Sequence, residues 1–338
     1  MTFAMVSVEY LAGFIDGEGY LALGRIPRGG STEYPVRMVV YNTNLEVIEA
    51  IRSVWGGTVS CSKSRKPGWK DQYALIWTNA AAARLLQRLL PHLIIKENHA
   101  IALLEFQEHV RRCKRARDTS GRLLPLSKRE LGIREAFFSH LKRLNTRGSA
   151  VRMRVASREA CRPRSREPSS MYLAGFIDAE GSLMITKSSS STDARAHYRA
   201  RISVANTKRV VLESIQRAYG GILVMQPSRE PRWNHAYPLV WTGGMAGEIL
   251  AAVMPYLRIK QEQAEILQDF LRHQRGTRQG RTAGGFAPLP DGVIAFRDAL
   301  CNRVRKLNAR GPTPAPSPIR REAGTSNRLP QSSPGSRR

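Results

Sequence analysis

The chain has 338 residues, of which 42% are hydrophobic, and its 54 Lys plus Arg against 27 Asp plus Glu give a net charge of +27. This length allows about two domains, and the apolar content is sufficient for folded cores, so a wholly disordered polymer is excluded. Residues 149–170 and 312–338 carry +4 each, and the rest of the chain still carries +19. This excess favours a polyanionic partner, and the lack of a long apolar run makes a membrane partner the weaker interpretation.

The first predicted elements, in chain order, form one unit of mixed helix and strand. Ser7 can cap the first helix, and Glu9 in its first turn complements the helix dipole. Ser127 followed by Glu130 forms a capping box for a later helix that runs to about Leu144. Alternation and periodicity predict strands at 20–26, 33–41, 57–65 and 71–77 and amphipathic helices at 44–55 and 80–90. The unit is therefore predicted to be α+β with a four-stranded antiparallel sheet.

The chain contains an internal duplication. The segment YLAGFIDGEGYL at 10–21 recurs as YLAGFIDAEGSL at 172–183. At an offset of 164 residues, Asn42 matches Asn206, Trp77 matches Trp241, and Lys96 matches Lys260. The predicted organisation is a first unit at 1–148, a linker at 149–170, a second unit at 171–311 and a disordered basic tail at 312–338.

Small residues on the two motif helices predict direct packing between them. Gly13 and Gly17 are four residues apart and share one helix face, and Gly175 and Ala179 occupy the same places in the second copy. Such residues let two helix backbones approach closely. The two helices are therefore expected to pack about a pseudo-twofold axis.

Glu18 and Glu180 stand at equivalent ends of these two helices and should come near one another. A helix C-terminus disfavours an anion, and two close carboxylates repel each other. A divalent cation relieves both problems, and Mg²⁺, which binds one or two carboxylates together with water and phosphate oxygens, is the natural candidate. The chemistry that this predicts is phosphodiester hydrolysis. Asp16 and Asp178 are interpreted as structural residues that cap or orient the helix ends.

The two nonapeptides, LAGFIDGEG and LAGFIDAEG, resemble the motif of the LAGLIDADG homing endonuclease family, in its single-chain, two-motif form. The resemblance covers Tyr10 to about Gly311. It implies two pseudo-symmetric αββαββα units with saddle-shaped sheets that lie in successive major grooves of double-stranded DNA. It also implies Mg²⁺-dependent cutting of both strands at a long, partly degenerate target, with short 3′ overhangs.

Carried over by position, the resemblance implies three pairs of active-site residues. Glu18 and Glu180 are the metal ligands, with Glu where the family name has Asp. Asn42 and Asn206 correspond to the polar residue that organises water, where some members have Gln. Lys96 and Lys260 correspond to the basic residue near the scissile phosphate, where an ammonium stabilises developing charge. The alternative for both lysines is that they are solvated surface residues.

Basic and polar residues on outward-facing strand positions are candidates for DNA contacts. For each of them, a phosphate contact or simple solvation competes with base readout. The candidates are Arg25, Arg28, Arg37, Lys63, Arg65, Lys70, Gln72, Lys187, Arg195, His197, Arg199, Arg201, Gln226, Arg229, Arg232 and His235. Trp77 and Trp241 each end a strand in an apolar setting, which favours a place in the core over base stacking.

The expected cofactor is Mg²⁺, with two or more ions; Mn²⁺ is expected to substitute, and Ca²⁺ to support binding without cleavage. The expected partner is double-stranded DNA, bound by a monomer. No signal peptide or spanning segment is predicted, so the protein should act in the compartment of its host genome, a bacterial cytoplasm or an organelle. Two alternatives stay open: a maturase that binds the host intron RNA, and a DNA-binding regulator that does not cut.

Overall fold

The computed structural model describes residues 5–28, 31–65, 67–113, 119, 124–146, 167–189, 196–228, 230, 234–277, 281–282, 285–286 and 289–309. It contains two units of like architecture, as the duplication predicts. Most of the predicted linker and the whole predicted tail lie outside these residues, so both stay predictions. No helix in the described ranges combines the length and apolarity needed to cross a membrane.

The first unit begins with the motif helix, and its later helices cover one face of a sheet. Its elements are α1 (Val8–Glu18), β1 (Gly19–Leu23), β2 (Ile26–Arg28), β3 (Ser31–Glu33), β4 (Val36–Asn42), α2 (Leu45–Trp55), β5 (Thr58–Ser62), β6 (Gln72–Thr78), α3 (Asn79–Leu89), α4 (Glu97–Arg112) and α5 (Lys128–Asn145).

The second unit repeats the order of the sheet strands and of the main helices, but its first two strands are longer. Its described residues hold no counterpart of the β2–β3 pair, and it adds a 3₁₀ turn and a short two-stranded pair before its last helix. Its elements are α6 (Ser170–Glu180), β7 (Gly181–Ser189), β8 (Ala196–Asn206), α7 (Arg209–Tyr219), β9 (Ile222–Leu223), β10 (Tyr237–Thr242), α8 (Gly244–Val253), a 3₁₀ turn (Met254–Tyr256), α9 (Gln261–Gly276), β11 (Arg281–Thr282), β12 (Gly285–Phe286) and α10 (Asp291–Asn308).

Each unit is built on a four-stranded antiparallel sheet, which confirms the predicted fold class. The strand order is β1-β4-β6-β5 in the first unit and β7-β8-β10-β9 in the second. In the first unit the register pairs Gly19 with Val40, and in the second it pairs Gly181 with Val204. The first strand of each sheet therefore starts directly after the glutamate that ends the motif helix.

Two of the predicted strands are shorter than expected. The stretches 20–26 and 33–41 are each interrupted, so β2 and β3 form a separate two-stranded extension. At the break the Gly24 amide donates to the Pro35 carbonyl, and a side chain on Gly24 would come within 2.9 Å of the Pro35 ring. Thr186 and Arg199 pair at the equivalent place in the second unit, where both strands continue. The proline explains the break, because it cannot donate to the strand ladder.

The predicted helix starts agree with the observed caps. The Ser7 side chain accepts a hydrogen bond from the Tyr10 amide, and the Ser127 side chain accepts one from the Glu130 amide. The Glu130 carboxylate, however, binds His109 and Arg134, so only half of the capping box forms.

Apolar side chains from both units form one continuous core. The predicted core positions of Trp77 and Trp241 are confirmed, because both side chains are buried. Their indole Nε1 groups donate to the main-chain oxygens of Trp55 and Tyr219, where α2 and α7 end. Each tryptophan therefore anchors a helix to its sheet.

Candidate functional site

The two motif helices pack backbone against backbone, as the small residues predict. A Cβ atom on Gly13 would lie 2.0 Å from the Tyr172 carbonyl oxygen, and one on Gly175 would lie 2.0 Å from the Tyr10 carbonyl oxygen. A Cβ on Gly17 would lie 2.4 Å from the Cβ of Ala179, so only one of these two positions can carry a methyl group. The interface thus brings the C-terminal ends of α1 and α6 together.

Glu18 and Glu180 meet at this end of the helix pair. The Cγ of Glu180 lies 3.0 Å from where a Cβ on Gly17 would be, so the Glu180 side chain lies against the opposite helix. Glu18 is half-buried and Glu180 more exposed, but desolvation by the surrounding protein raises the pKa of both carboxyls. The Glu18 charge raises the pKa of Glu180 further, whereas the charges of Lys96 and Lys260 lower the pKa of both carboxyls.

Lys96 and Lys260 join the two glutamates. Burial lowers the pKa of both ammonium groups, and the charges of Glu18 and Glu180 act on each of them in the opposite direction. The Lys96 Nζ donates to the Asp16 main-chain oxygen at 2.6 Å, and the Lys260 Nζ donates to the Asp178 main-chain oxygen at 2.5 Å. The ammonium groups are therefore held at the ends of the motif helices and are not solvated surface lysines.

The predicted structural role of Asp16 and Asp178 agrees with their contacts. Asp16 is 1% exposed, and its carboxylate accepts hydrogen bonds from the backbone amides of residues 94, 95 and 96 at 2.7, 3.0 and 2.9 Å. Asp178 is 2% exposed and accepts them from the amides of residues 258, 259 and 260 at 2.7, 3.2 and 3.0 Å. Each aspartate thus fixes the turn that precedes α4 or α9 and carries the lysine.

Asn42 and Asn206 end β4 and β8, two residues beyond the positions that pair with Gly19 and Gly181. The Oδ1 of Asn42 accepts a hydrogen bond from the Asn44 amide, and the Oδ1 of Asn206 accepts one from the Lys208 amide. Each side chain is therefore oriented by its own turn, close to where a motif helix passes into its sheet.

The sheet face opposite the helices carries several of the predicted DNA contacts; we call it the open face. The register aligns Arg37 and Gln72 with other outward positions of the first sheet, and it aligns His197, Arg199 and Arg201 along β8. All of these side chains are exposed except Arg201, which is partly buried. The open faces have the following members: Tyr20, Ala22, Arg37, Val39, Tyr41, Thr58, Ser60, Ser62, Gln72, Ala74, Ile76 and Thr78 in the first unit, and Ser182, Met184, Thr186, Ser188, His197, Arg199, Arg201, Ser203, Ala205, Ile222, Pro238, Val240 and Thr242 in the second.

Arg25 and Lys187 do not belong to the open faces. Arg25 forms an ion pair with Glu135 on α5, and Lys187 forms one with Asp298 on α10. Lys187 also pairs across the sheet with Tyr198, whose buried ring lies on the helix-covered side. Both side chains therefore bind the last helix of their own unit, although they were predicted to occupy outward-facing strand positions.

The remaining candidates lie at the distal ends of the sheets or outside the described residues. Lys63, which is bound by Asp71, and Arg65 and Lys70 are exposed in the β5–β6 connection, and Gln226 and His235 are exposed beyond β9 and before β10. Arg28 ends β2. Arg195, Arg229 and Arg232 fall outside the described ranges.

The residues at the helix ends suit a hard divalent cation. Glu18 and Glu180 offer carboxylate oxygens, and the described residues contain no cluster of three or more His, Cys, Asp or Glu side chains arranged for a metal. Two protein carboxylates with water and substrate oxygens are a typical ligand set for Mg²⁺. The desolvation of these carboxylates also fits a site that a cation would stabilise.

The fold and site define a two-unit α+β protein with paired carboxylates and lysines at a pseudo-twofold interface. The model of the LAGLIDADG endonuclease family matches residues 173–238. Together with the fold, this match confirms the predicted family resemblance: the second unit carries the family's sequence pattern, and the chain shares its fold with solved LAGLIDADG meganucleases. No curated protein matches the chain significantly.

Solved structures with this fold include two meganucleases bound to DNA. Meganuclease I-SmaMI bound to uncleaveable DNA is 15% identical, with 90% of this chain and 100% of that chain covered and a TM-score of 0.59. LAGLIDADG meganuclease I-AabMI bound to uncleaved DNA is 14% identical, with coverages of 88% and 98% and a TM-score of 0.57. I-SmaMI bound to an uncleaved DNA target in the presence of calcium ions is 16% identical, with coverages of 88% and 98% and a TM-score of 0.55.

Sequence reasoning missed two residues of this site, Tyr10 and Tyr172. The Tyr10 hydroxyl donates to Asp178, and the Tyr172 hydroxyl donates to Asp16. Both tyrosines precede the motif at the same place, directly before LAGF, so their repetition was a signal that could have been followed.

Proposed function

We propose that the protein is a site-specific endonuclease that cuts both strands of double-stranded DNA and acts as a monomer through its two units. The observation that carries the proposal is the meeting of Glu18, Glu180, Lys96 and Lys260 where the motif helices end and both sheets begin. The symmetry of this arrangement matches the two antiparallel strands of a duplex. The basic excess and the cations on the open faces support DNA as the substrate.

The glutamates would hold Mg²⁺, which when bound supplies an activated water molecule and neutralises charge on the phosphate. The chain's own residues then divide the remaining tasks. Lys96 and Lys260 place an ammonium group against the phosphate, where it stabilises the charge that develops during hydrolysis. Asn42 and Asn206, each oriented through Oδ1, present their amide Nδ2 groups to orient water.

The target is proposed to be long and partly degenerate, and the products to carry short 3′ overhangs. Two sheets on one chain support a long contact, because a β-ribbon that enters the major groove reads several successive base pairs. We also propose that Mn²⁺ replaces Mg²⁺ in the reaction, and that Ca²⁺ permits binding without cleavage.

The test is a selection from a randomised duplex library with the full chain, in Mg²⁺ and separately in Ca²⁺. We expect recurrent double-strand cuts in Mg²⁺ and binding without cuts in Ca²⁺. On the selected target, Glu18→Gln and Glu180→Gln should bind normally but cut about 100-fold more slowly or not at all. Glu49→Gln, on the exposed side of α2, is the matched control and should cut normally.

Other results would replace the proposal. Equal cutting by wild type and both active-site glutamine variants would show that the glutamates are not the catalytic ligands. Tight, sequence-specific binding without cutting in Mg²⁺ would identify a DNA-binding regulator. A preference for structured intron RNA over duplex DNA would identify a maturase.

A further inference from the structure

Two hydrogen bonds between buried side chains cross the interface between the units. The Tyr10 hydroxyl donates to Asp178 Oδ2 at 2.7 Å, and the Tyr172 hydroxyl donates to Asp16 Oδ2 at 2.7 Å. All four side chains are at most 2% exposed. Burial and the adjacent aspartate raise the pKa of each tyrosine well above its usual value, so the hydroxyls stay protonated and can donate.

Each crossing bond ends on the carboxylate that orders a lysine. Asp178 Oδ2, which accepts from Tyr10, also accepts from the amides of residues 258 and 259, and Asp178 Oδ1 accepts from the Lys260 amide. Asp16 makes the same contacts with Tyr172 and with the amides of residues 94 to 96. The path from one unit to the lysine of the other therefore has two steps, tyrosine to aspartate and aspartate to the lysine turn.

We infer that Tyr10 and Tyr172 are positioning residues that act across the interface, Tyr10 on Lys260 and Tyr172 on Lys96. This inference deepens the proposed function and rests on it for its kinetic consequence. Each lysine is placed correctly only while the opposite unit is docked. The catalytic centre that uses a given lysine therefore depends on a hydroxyl from the other motif helix.

Tyrosine-to-phenylalanine substitutions isolate this hydroxyl, because the ring and its packing are retained. Tyr10→Phe leaves the buried Asp178 Oδ2 with two donors, both backbone amides, in place of three. The turn of residues 258–260 loses part of its support, whereas the turn of residues 94–96 keeps all of it. A structural defect of the shared interface would loosen both turns alike.

The first experiment measures backbone hydrogen exchange in the free full-length protein. In Tyr10→Phe the amides of residues 258–260 should exchange about tenfold faster, with those of residues 94–96 unchanged. Tyr172→Phe should give the opposite pattern. Equal acceleration in both turns, or none, would overturn the inference, and this outcome does not depend on whether the protein cuts DNA.

The second experiment measures nicking of each labelled strand of the selected target. Tyr10→Phe and Lys260→Met should slow the same strand, by about tenfold and about 100-fold respectively. Tyr172→Phe and Lys96→Met should slow the other strand. If Tyr10→Phe slowed the strand that depends on Lys96, or slowed both strands equally, the assignment would be wrong.

Two other tyrosines provide matched controls. The Tyr34 hydroxyl binds Glu135, and the Tyr198 hydroxyl binds Asp298, so each makes a tyrosine–carboxylate bond within one unit. Tyr34→Phe and Tyr198→Phe should lower stability without changing the ratio of the two nicking rates or the exchange of either lysine turn. If wild type cut no DNA, the proposed function would fail, while the exchange pattern would still decide the positioning role.

Discussion

The two units of the molecule agree where their motif helices meet and differ where their sheets face outward. Around the helix ends, the hydrogen bonds of the aspartates, tyrosines and lysines in one unit have counterparts in the other. On the open faces, β4 contributes Arg37 between uncharged neighbours, whereas β8 contributes His197, Arg199 and Arg201 on alternate positions. The first sheet also has a row of Ser and Thr on β5, where the second exposes Ile222.

This contrast indicates which parts of the duplication are held to symmetry. Under the proposed function, two chemically equivalent DNA strands need equivalent reacting groups, which accounts for the likeness of the motif ends. A DNA target need not be a palindrome when one chain supplies both sheets, so the open faces can differ. We therefore expect the two half-sites of the target to have different sequences.

The largest effect should follow from breaking the symmetric interface. Gly13→Ala and Gly175→Ala each place a methyl group against backbone of the opposite helix, so each should destabilise the protein by about 3 kcal/mol or more. Thermal unfolding measures this loss. Gly132→Ala on α5 is the control: nothing lies within 4 Å of the new Cβ, so it should stabilise the helix by up to about 1 kcal/mol. Similar effects at all three glycines would contradict the close packing.

A smaller effect concerns the pH dependence of stability, to which only the first unit contributes at this position. His99 lies in the first unit, and the corresponding residue of the second unit is Gln263. Burial, and then the nearby Lys96 charge, lower the pKa of His99 to about 4; Lys208 and His140 also lower it. A lowered histidine pKa means that the unfolded chain takes up the proton first. The contribution of His99 to stability is therefore full above pH 6.5 and is lost as the pH falls from 6.5 to about 4.

His99→Gln should remove this part of the pH dependence, which amounts to about 3 kcal/mol at most. Chemical denaturation at pH 7 and pH 4.5 measures the free energy of unfolding for both proteins. The difference between the two pH values should be smaller in the variant than in wild type. An equal difference would show that His99 is protonated as easily in the folded protein as in the unfolded chain.

The smallest expected effects are on DNA affinity, when an arginine is removed from one open face or the other. Arg37→Ala and Arg199→Ala should each weaken binding, and a lost phosphate contact should lower the slope of log affinity against log salt by about 0.9. Footprinting should place each loss in a different half-site. Arg25→Ala and Lys187→Ala are controls, since their ion pairs with α5 and α10 predict lower stability with little change in the salt slope. Equal salt slopes for all four variants and wild type would show that the open faces do not bind DNA.

Much of the fold could be predicted from local pattern. The helices at 44–55 and 80–90 and the strands at 57–65 and 71–77 agree with the structure to within a few residues at their ends. The strand breaks at Gly24 and Pro35 were missed because the alternation was followed through them, although a proline inside a predicted strand is itself a signal of a break. Lys187 follows the buried Leu183 and Ile185 on alternate positions of β7, so alternation already places it on the helix-covered side, and this signal was missed. Its partner Asp298 lies more than 100 residues away and could not be predicted from local pattern.

The sequence by itself determined the duplication, the two motif helices, the small residues between them and the acids at their ends, because repeats and helical spacing are local properties of the chain. Only the tertiary structure decided how the lysines are held. The bonds from Tyr10 to Asp178 and from Tyr172 to Asp16 join residues 168 and 156 positions apart. No periodicity encodes such a pair, and it forms only when the backbones at Gly13 and Gly175 are close enough for a hydroxyl of one unit to reach a carboxylate of the other.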